Sequence, residues 1–203
     1  MQALLIGINP PEKLKEEICK HKSEVKKLCG YQDEIDVTPH LTFVVNNFSD
    51  LNSMDGVLQG LVHDFSPFIV EVDGMGYFPQ MKKRALYANV VKTPILEELQ
   101  RRIVIDMAKI RHGCLLQEYM RNHNPDFKYT GKEAENVNKY GYPHVGEIWQ
   151  PHITVSILDE PCFERIERKL LSEKIKDKFE LGYITCFTYD NNWKPWKNYK
   201  LGI

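Results

Sequence analysis

Two short segments share one pattern, and this internal repeat limits the possible folds more than any other feature of the chain. Residues 39–43 read Pro-His-Leu-Thr-Phe, and residues 151–155 read Pro-His-Ile-Thr-Val. Each copy begins a β-rich segment, and a repeated motif indicates matched geometry in two halves of a fold. We therefore predict one bilobal domain over residues 1–203, with a first lobe centred on 38–46 and a second centred on 150–158.

The rest of the chain alternates between strand and helix signals without the strict order of a doubly wound fold. We predict an α+β protein in which two related lobes, each with an antiparallel sheet, line a central cleft and helices lie outside. Strands are predicted at 2–9, 40–46, 68–72, 85–91, 151–158, 178–189 and 196–201, with a turn-rich segment at 74–83. Helices are predicted at about 11–30, 49–63, from Thr93 to Ile110, and 161–174. The polar stretch at 112–147 is long for a loop, so we predict an insertion or a lid there.

Composition excludes several classes of protein. The chain has 203 residues, 42% of them apolar and 27% charged, which is typical of a globular domain and not of a disordered chain. With 27 basic and 28 acidic residues, it lacks the positive charge of a protein that coats nucleic acid by electrostatics alone. No apolar run is long enough for a membrane span, so no membrane partner is predicted. The five cysteines are odd in number and show no C-x-x-C, which favours free thiols and a cytoplasmic location. Nothing indicates a protein partner, and we predict a monomer.

The repeated motif also carries chemistry. Residues i and i+2 of a strand point to the same face, so His40 projects with Thr42 and His152 projects with Thr154. If the two strands are neighbours, two imidazoles and two hydroxyls meet in one cleft. Two histidines near neutral pH can act as a general acid and a general base, while the hydroxyls hold a phosphate oxygen. This set suits in-line displacement at phosphorus without a metal.

Other interpretations of the same residues stay open. The histidines could be buried structural residues, and the threonines could reflect β-propensity alone. A second group of possible ligands has a spacing that matches no zinc pattern: His112, Cys114, His123 and His144. No P-loop or Rossmann fingerprint is present, so neither a metal nor a cofactor is predicted.

Four further residues are candidates for substrate binding. Lys83 precedes a predicted strand and could offer positive charge to a phosphate, although a solvated turn is the more common explanation for such a residue. Tyr87 and Trp149 could stack on a base or pack in the core, and Phe78 carries the same ambiguity. Ser156 lies on the second motif strand and completes the set.

The paired His-x-Thr-x motifs, one in each half of a chain of about this length, resemble those of the 2H phosphoesterase superfamily. The opening segment ALLIGINPPEKLKEEI and the two motifs extend the resemblance over most of the chain, nearest to the 2′-5′ RNA ligase and cyclic phosphodiesterase-like branch. The resemblance implies that His40 and His152 are the catalytic pair and that Thr42 and Thr154 bind phosphate. It also implies a substrate that is a nucleotide or an RNA end. Two features depart from the family: Ile157 replaces an Arg or aromatic residue that is common in ligase-like members, and residues 112–146 are longer than in compact members.

The expected function is a metal-independent phosphodiesterase acting on 2′,3′-cyclic phosphates or 2′,5′-linked nucleotides. Two alternatives stay open on sequence alone. One is a nucleotide- or RNA-binding module without turnover. The other is an enzyme that degrades a cyclic or 2′,5′-linked oligonucleotide signal with the same residues.

Overall fold

A computed structural model of the chain describes residues 2–80, 83–120, 128–172 and 175–202. Within these ranges there are eight strands and five α-helices. The strands are β1 (Gln2–Ile8), β2 (Leu41–Phe48), β3 (Phe68–Gln80), β4 (Lys83–Val90), β5 (His152–Asp159), β6 (Lys176–Leu181), β7 (Tyr183–Tyr189) and β8 (Trp193–Lys200). The helices are α1 (Glu12–Cys29), α2 (Leu51–Val62), α3 (Pro94–Ile110), α4 (Gly131–Tyr140) and α5 (Glu160–Ser172).

The strands form one antiparallel sheet in the order β6-β3-β4-β5-β2-β1-β7-β8. The sheet consists of two four-stranded halves, which meet where Leu41 of β2 pairs with Ile153 of β5. Helices α1 and α5 pack on each other and on β5, whereas α2 and α3 pack on each other and on strands of the other half. This arrangement confirms the predicted α+β fold with two related halves and helices outside.

Local sequence explains why the helices form where they do. In α3, the hydroxyl of Thr93 accepts a hydrogen bond from the backbone N–H of Leu96 at 3.3 Å, and Pro94 occupies the first turn. In α1, Leu14, Ile18 and Val25 lie on one buried face, and Gly30 follows the helix with a φ of 75°. These faces pack against the apolar side of the sheet and form the core.

The predicted turn at 74–83 is wrong, because β3 continues through it to Gln80. Gly74 has a φ of 80° and lies at a register shift, so it marks a bulge within the strand and not its end. At Gly76, a β-carbon would lie 2.8 Å from the Tyr87 ring on β4, so this glycine makes room for an aromatic side chain. Residues 81 and 82 lie outside the described part of the chain.

The single strand predicted at 178–189 is also wrong. The chain divides at Gly182 into β6, which pairs with β3, and β7, which pairs with β1. The two strands therefore lie at distant positions in the sheet although they are consecutive in sequence. Apolar patterning did not reveal the division, because both strands carry apolar residues right up to it.

The segment at 112–147 contains a helix, α4, that its polar composition concealed. It is attached to β2, where the Asn46 side chain donates to the Gly141 carbonyl at 2.7 Å and accepts from the Leu116 N–H at 3.1 Å. Residues 121–127 lie outside the described ranges. The role of the segment as an insertion or lid stays a prediction.

The prediction that all cysteines are free thiols is wrong for one pair. Cys29 at the end of α1 and Cys162 in α5 form a disulfide, with their Cα atoms 5.6 Å apart. Their distance in sequence concealed the pairing, since packing of α1 on α5 brings them together. The cysteines therefore no longer support a cytoplasmic location, which stays a prediction. No helix in the described ranges has the length and apolar character needed to cross a membrane.

Candidate active site

The two motifs lie side by side where the halves of the sheet meet. Leu41 and Ile153, the middle residues of the motifs, pair directly and point into the core. Their sequence neighbours point to the opposite face and are half-buried: His40, Thr42, His152 and Thr154. The antiparallel register sets Thr42 beside His152, and His40 beside Thr154. Each imidazole thus has a hydroxyl from the other motif next to it.

Both imidazoles are held in the same way. The Nδ1 atom of His40 lies 2.7 Å from the Thr38 carbonyl oxygen, and that of His152 lies 2.8 Å from the Gln150 carbonyl oxygen. Because a carbonyl oxygen only accepts hydrogen bonds, each Nδ1 carries the proton when the ring is neutral. Each Nε2 is then an acceptor that can take a proton from a bound group.

Each motif strand also carries a one-residue bulge at the same motif position. In β2, Phe43 is the extra residue, because the residues on either side of it pair with consecutive residues of β1. In β5, Val155 is extra in the same way relative to β4. Bulges bend a strand and redirect its side chains. The bulges follow directly after Thr42 and Thr154, so both halves of the site have the same bend.

Burial controls the charge of the two imidazoles. It lowers the pKa of His40 to about 4, and the nearby positive charges of Lys22 and His152 act in the same direction. Burial also lowers the pKa of His152, against the opposing effect of its hydrogen bond to the Gln150 carbonyl. Without a ligand, both rings are therefore mainly neutral at pH 7. An anion bound between the two rings would favour their protonated form.

Aromatic rings border both histidines. The ring of Phe78 lies 4.9 Å from that of His152 in an edge-on arrangement, and Tyr87 lies 5.3 Å from the same imidazole. The Tyr87 hydroxyl accepts a hydrogen bond from the Gln150 side chain at 2.8 Å. On the other side, the ring of Phe187 lies 5.7 Å from that of His40. These contacts restrict the imidazoles to one orientation.

The other candidate substrate residues have different surroundings. Trp149 is 3% exposed, and its indole N–H donates to the Thr42 carbonyl at 3.2 Å. The buried hydroxyl of Ser156 donates to the Asp33 carbonyl at 2.8 Å, while Lys83 forms an ion pair with the Asp33 side chain. Of the four candidates, it is Tyr87 that contacts a motif histidine. Trp149, Ser156 and Lys83 instead support the strands and the loop that precedes the first motif.

One residue that sequence reasoning missed connects the first motif to the 112–147 segment. The side chain of Gln100 is fully buried on α3. Its Nε2 donates to the carbonyls of Phe43 at 3.1 Å and His144 at 2.9 Å, and its Oε1 accepts from the Gly146 N–H at 3.3 Å. The sequence does offer one signal for this role: Gln100 is polar, although the helical period of α3 predicts an apolar residue at its position.

His144, a third histidine, lies near the site. Its Nδ1 is 3.6 Å from a carboxylate oxygen of Glu133, and the positive charges of His152 and Lys128 act on it. Burial lowers the pKa of His144 to about 4, so it too is neutral at pH 7. No group of three metal-ligating side chains occurs among the described residues. His123, one of the four possible ligands considered above, lies outside them.

Several known proteins are similar to this chain. A family model described as the 2′-5′ RNA ligase superfamily matches residues 10–193. The curated proteins include no significant match. Among solved structures, TT0787 of Thermus thermophilus has a TM-score of 0.61 at 14% identity, covering 98% of this chain and 97% of that one. Apo LigT of E. coli has a TM-score of 0.55 at 15% identity, covering 100% and 98%. A crystal structure titled as a phosphoesterase has a TM-score of 0.58 at 15% identity, covering 100% and 99%.

At these identities the solved structures show a shared fold, and the family model covers most of the chain. LigT has been crystallised with 3′-AMP and with phosphate. The match over residues 10–193 includes both His-x-Thr motifs. The chain therefore belongs to the 2′-5′ RNA ligase superfamily, whose members are 2H phosphoesterases.

Proposed function

We propose that this protein is a metal-independent phosphodiesterase that acts on 2′,3′-cyclic phosphates or 2′,5′-linked nucleotides and RNA by two-histidine acid–base catalysis. One observation carries the proposal: His40 and His152 lie in neighbouring motifs, and each has its Nδ1 bound to a backbone carbonyl. Two acid–base groups whose Nε2 atoms can accept a proton, set between two hydroxyls, match the needs of displacement at phosphorus. Binding of 3′-AMP and phosphate by LigT, a protein of the same fold, supports a nucleotide phosphate as the ligand.

The reaction follows from these groups. The phosphate lies between the motifs, and the hydroxyls of Thr42 and Thr154 donate hydrogen bonds to its nonbridging oxygens. The neutral Nε2 of one histidine takes a proton from water as the water oxygen bonds to phosphorus. The bond from phosphorus to the leaving ribose oxygen breaks, and the protonated second histidine gives that oxygen its proton. The products are a phosphomonoester and a free hydroxyl, with one proton moved from one histidine to the other.

The test is product analysis with a panel of substrates in the presence of EDTA. The panel contains 2′,3′-cyclic mononucleotides, 2′,5′-oligoadenylate, a cyclic dinucleotide and ADP-ribose 1″,2″-cyclic phosphate. Each of the variants His40→Asn and His152→Asn is expected to lose on the order of 10²- to 10⁴-fold in kcat. The control is His63→Gln, at an exposed histidine at the end of α2, which should keep wild-type turnover.

Each outcome of the panel has a definite meaning. Near-normal turnover by both motif variants would falsify the catalytic assignment. Nucleotide binding with no product from any substrate would instead support a binding module without turnover. Strong preference for 2′,5′-oligoadenylate or the cyclic dinucleotide would assign the enzyme to degradation of an oligonucleotide signal.

A further inference from the structure

Two aromatic side chains at the tip of the β7–β8 hairpin have no role in the core. Tyr189 and Trp193 are cross-strand partners that close the hairpin, with ring centroids 5.2 Å apart. Tyr189 is 58% exposed and Trp193 is half-buried. Exposed aromatic pairs of this kind offer a surface on which planar groups can stack. We call this pair the hairpin platform.

The hairpin platform is continuous with the first half of the site. Phe187 lies two residues before Tyr189, and β7 pairs with β8 from Phe187 to Tyr189 without a register shift, so both side chains project from the same face. The Phe187 ring contacts His40 at 5.7 Å. Two residues of a strand span about 7 Å, which is close to the spacing of successive nucleotides in an extended strand. Together with the 5.7 Å between the Phe187 and His40 rings, this step places the platform up to about 13 Å from the His40 imidazole. A base there belongs to the nucleotide next to the reacting one.

The hairpin tip is fixed to the segment that enters the first motif. The Oδ1 atom of Asn192 accepts hydrogen bonds from the backbone N–H of Thr38 at 3.2 Å and of Trp193 at 2.7 Å. Its Nδ2 donates to the Asp36 carbonyl at 2.8 Å. Thr38 also holds the Nδ1 of His40, so the platform and the imidazole share one support. A stacking surface that is already ordered loses little entropy when a ligand binds.

Charge around the platform is balanced. Asp190 and Lys194 form an ion pair at 2.6 Å within the hairpin, and Lys26 pairs with Asp36 at 3.1 Å. Neither pair adds net positive charge that would attract a phosphate backbone. Recognition here depends on stacking, so its dependence on salt concentration should be weak.

We propose that Tyr189 and Trp193 bind a nucleobase of single-stranded RNA on the 5′ side of the phosphate that reacts. This proposal rests on the proposed function. A strand that ends in a 2′,3′-cyclic phosphate continues only in the 5′ direction, so its remaining bases must leave the cleft over the rim. The platform is the aromatic part of that rim on the His40 side, and it makes the enzyme prefer an oligonucleotide to a mononucleotide.

The experiment compares kcat/KM for a 2′,3′-cyclic mononucleotide and for a trinucleotide with the same terminal residue. The variants are Tyr189→Ala, Trp193→Ala and both together. The matched control is Tyr183→Ala, at a tyrosine that is 51% exposed on the same strand, about 20 Å from the hairpin tip. The platform variants should lose on the order of tenfold or more with the trinucleotide and less than about twofold with the mononucleotide. Thermal unfolding of each variant shows whether it is folded.

Other outcomes separate this proposal from the proposed function. Equal losses on both substrates, or no loss on the trinucleotide, would overturn the hairpin platform. Affinity for the trinucleotide 3′-phosphate, measured by fluorescence anisotropy, gives a readout without turnover. If wild-type protein turns over neither substrate, but binds the trinucleotide 3′-phosphate in a manner that depends on Tyr189 and Trp193, the proposed function fails and the platform stands. Loss of affinity in Tyr183→Ala as well would indicate a general surface effect and overturn the assignment.

Discussion

A β-carbon on Gly7 would lie 1.9 Å from the carbonyl oxygen of Leu41. The two residues belong to neighbouring strands, and their contact lies where the β1–β2 register shifts to admit Phe43. No other amino acid allows this approach, because each of them places a carbon at that position. Gly7 thus permits the bulge that shapes the first motif.

We expect Gly7→Ala to lower the free energy of unfolding by about 1 to 3 kcal/mol, the usual cost of forcing an atom into a packed site. Catalytic activity should fall by more than the loss of folded protein explains, because β1 and β2 separate next to Thr42. Urea unfolding and turnover of a cyclic mononucleotide measure the two effects. The control is Gly56→Ala in α2, where a new β-carbon meets nothing within 4 Å and helix propensity adds up to about 1 kcal/mol. Wild-type stability and wild-type turnover in Gly7→Ala would contradict this account of the bulge.

Removal of either motif hydroxyl should weaken phosphate binding. Thr42→Val and Thr154→Val keep the side-chain shape, but each loses a hydrogen bond to a charged group, worth about 1.5 to 3 kcal/mol. The Kd for inorganic phosphate, measured by calorimetry, should rise roughly 10- to 100-fold in each variant. Thr→Ser at the same positions should restore most of the affinity, whereas Thr188→Val, on the opposite face of β7, should leave it unchanged. Wild-type affinity in both Val variants would mean that the hydroxyls do not contact phosphate.

Stability should decrease as the solution becomes acidic. The pKa of His40 is about 4 in the folded protein, against an ordinary value of 6.5, so the unfolded chain binds the proton more tightly. The contribution of neutral His40 to the free energy of unfolding is complete above pH 6.5 and is lost as the pH falls toward 4. It amounts to about 1 to 3 kcal/mol. His144 and His152 act in the same direction. Urea unfolding between about pH 7.5 and 4.5 should show a smaller decrease in His40→Gln than in wild type, and parallel curves would refute the assignment.

Reduction of the disulfide should destabilise the protein without stopping catalysis. The bond joins Cys29 to Cys162, and the loop that it closes is long, so its loss should cost about 2 to 4 kcal/mol in the free energy of unfolding. The bond joins α1 to α5, and neither helix contains a motif residue, so turnover at room temperature should persist. Alkylation after unfolding should modify three cysteines without a reductant and all five with one. Five modified cysteines in the absence of reductant would show that the bond does not form.

Most elements of the fold could be predicted, because local signals and tertiary packing agree. Thr93 marked the start of α3, and β-rich composition marked the motif strands. The failures had physical causes. Gly74 and Gly76 suggest a turn by composition, yet one serves a bulge and the other accommodates the Tyr87 ring. No local signal pairs Cys29 with Cys162, since their proximity comes from the packing of two helices.

The motif residues of the site could be predicted because strand geometry alone sets His40 beside Thr42 and His152 beside Thr154. The bulges and hydrogen bonds that support these residues could not be predicted. A bulge depends on the partner strand, so nothing in residues 39–43 reveals that Phe43 is unpaired. Base stacking and core packing both stayed open for Trp149, and the choice depends on the distant Thr42 carbonyl, to which its indole N–H donates. The hydrogen bonds of Gln100 likewise join parts of the chain that only the complete fold brings together.

The matched backbone hydrogen bonds of the two imidazoles have a consequence for reversibility. In the proposed mechanism, hydrolysis and its reverse use the same pair of ring nitrogens with exchanged roles, and both nitrogens start from the same tautomer. The tautomers alone therefore do not assign one ring as the acid and the other as the base. The orientation in which the ester binds then decides which ring acts as the acid, and the concentrations of ester and products decide the net direction of the reaction.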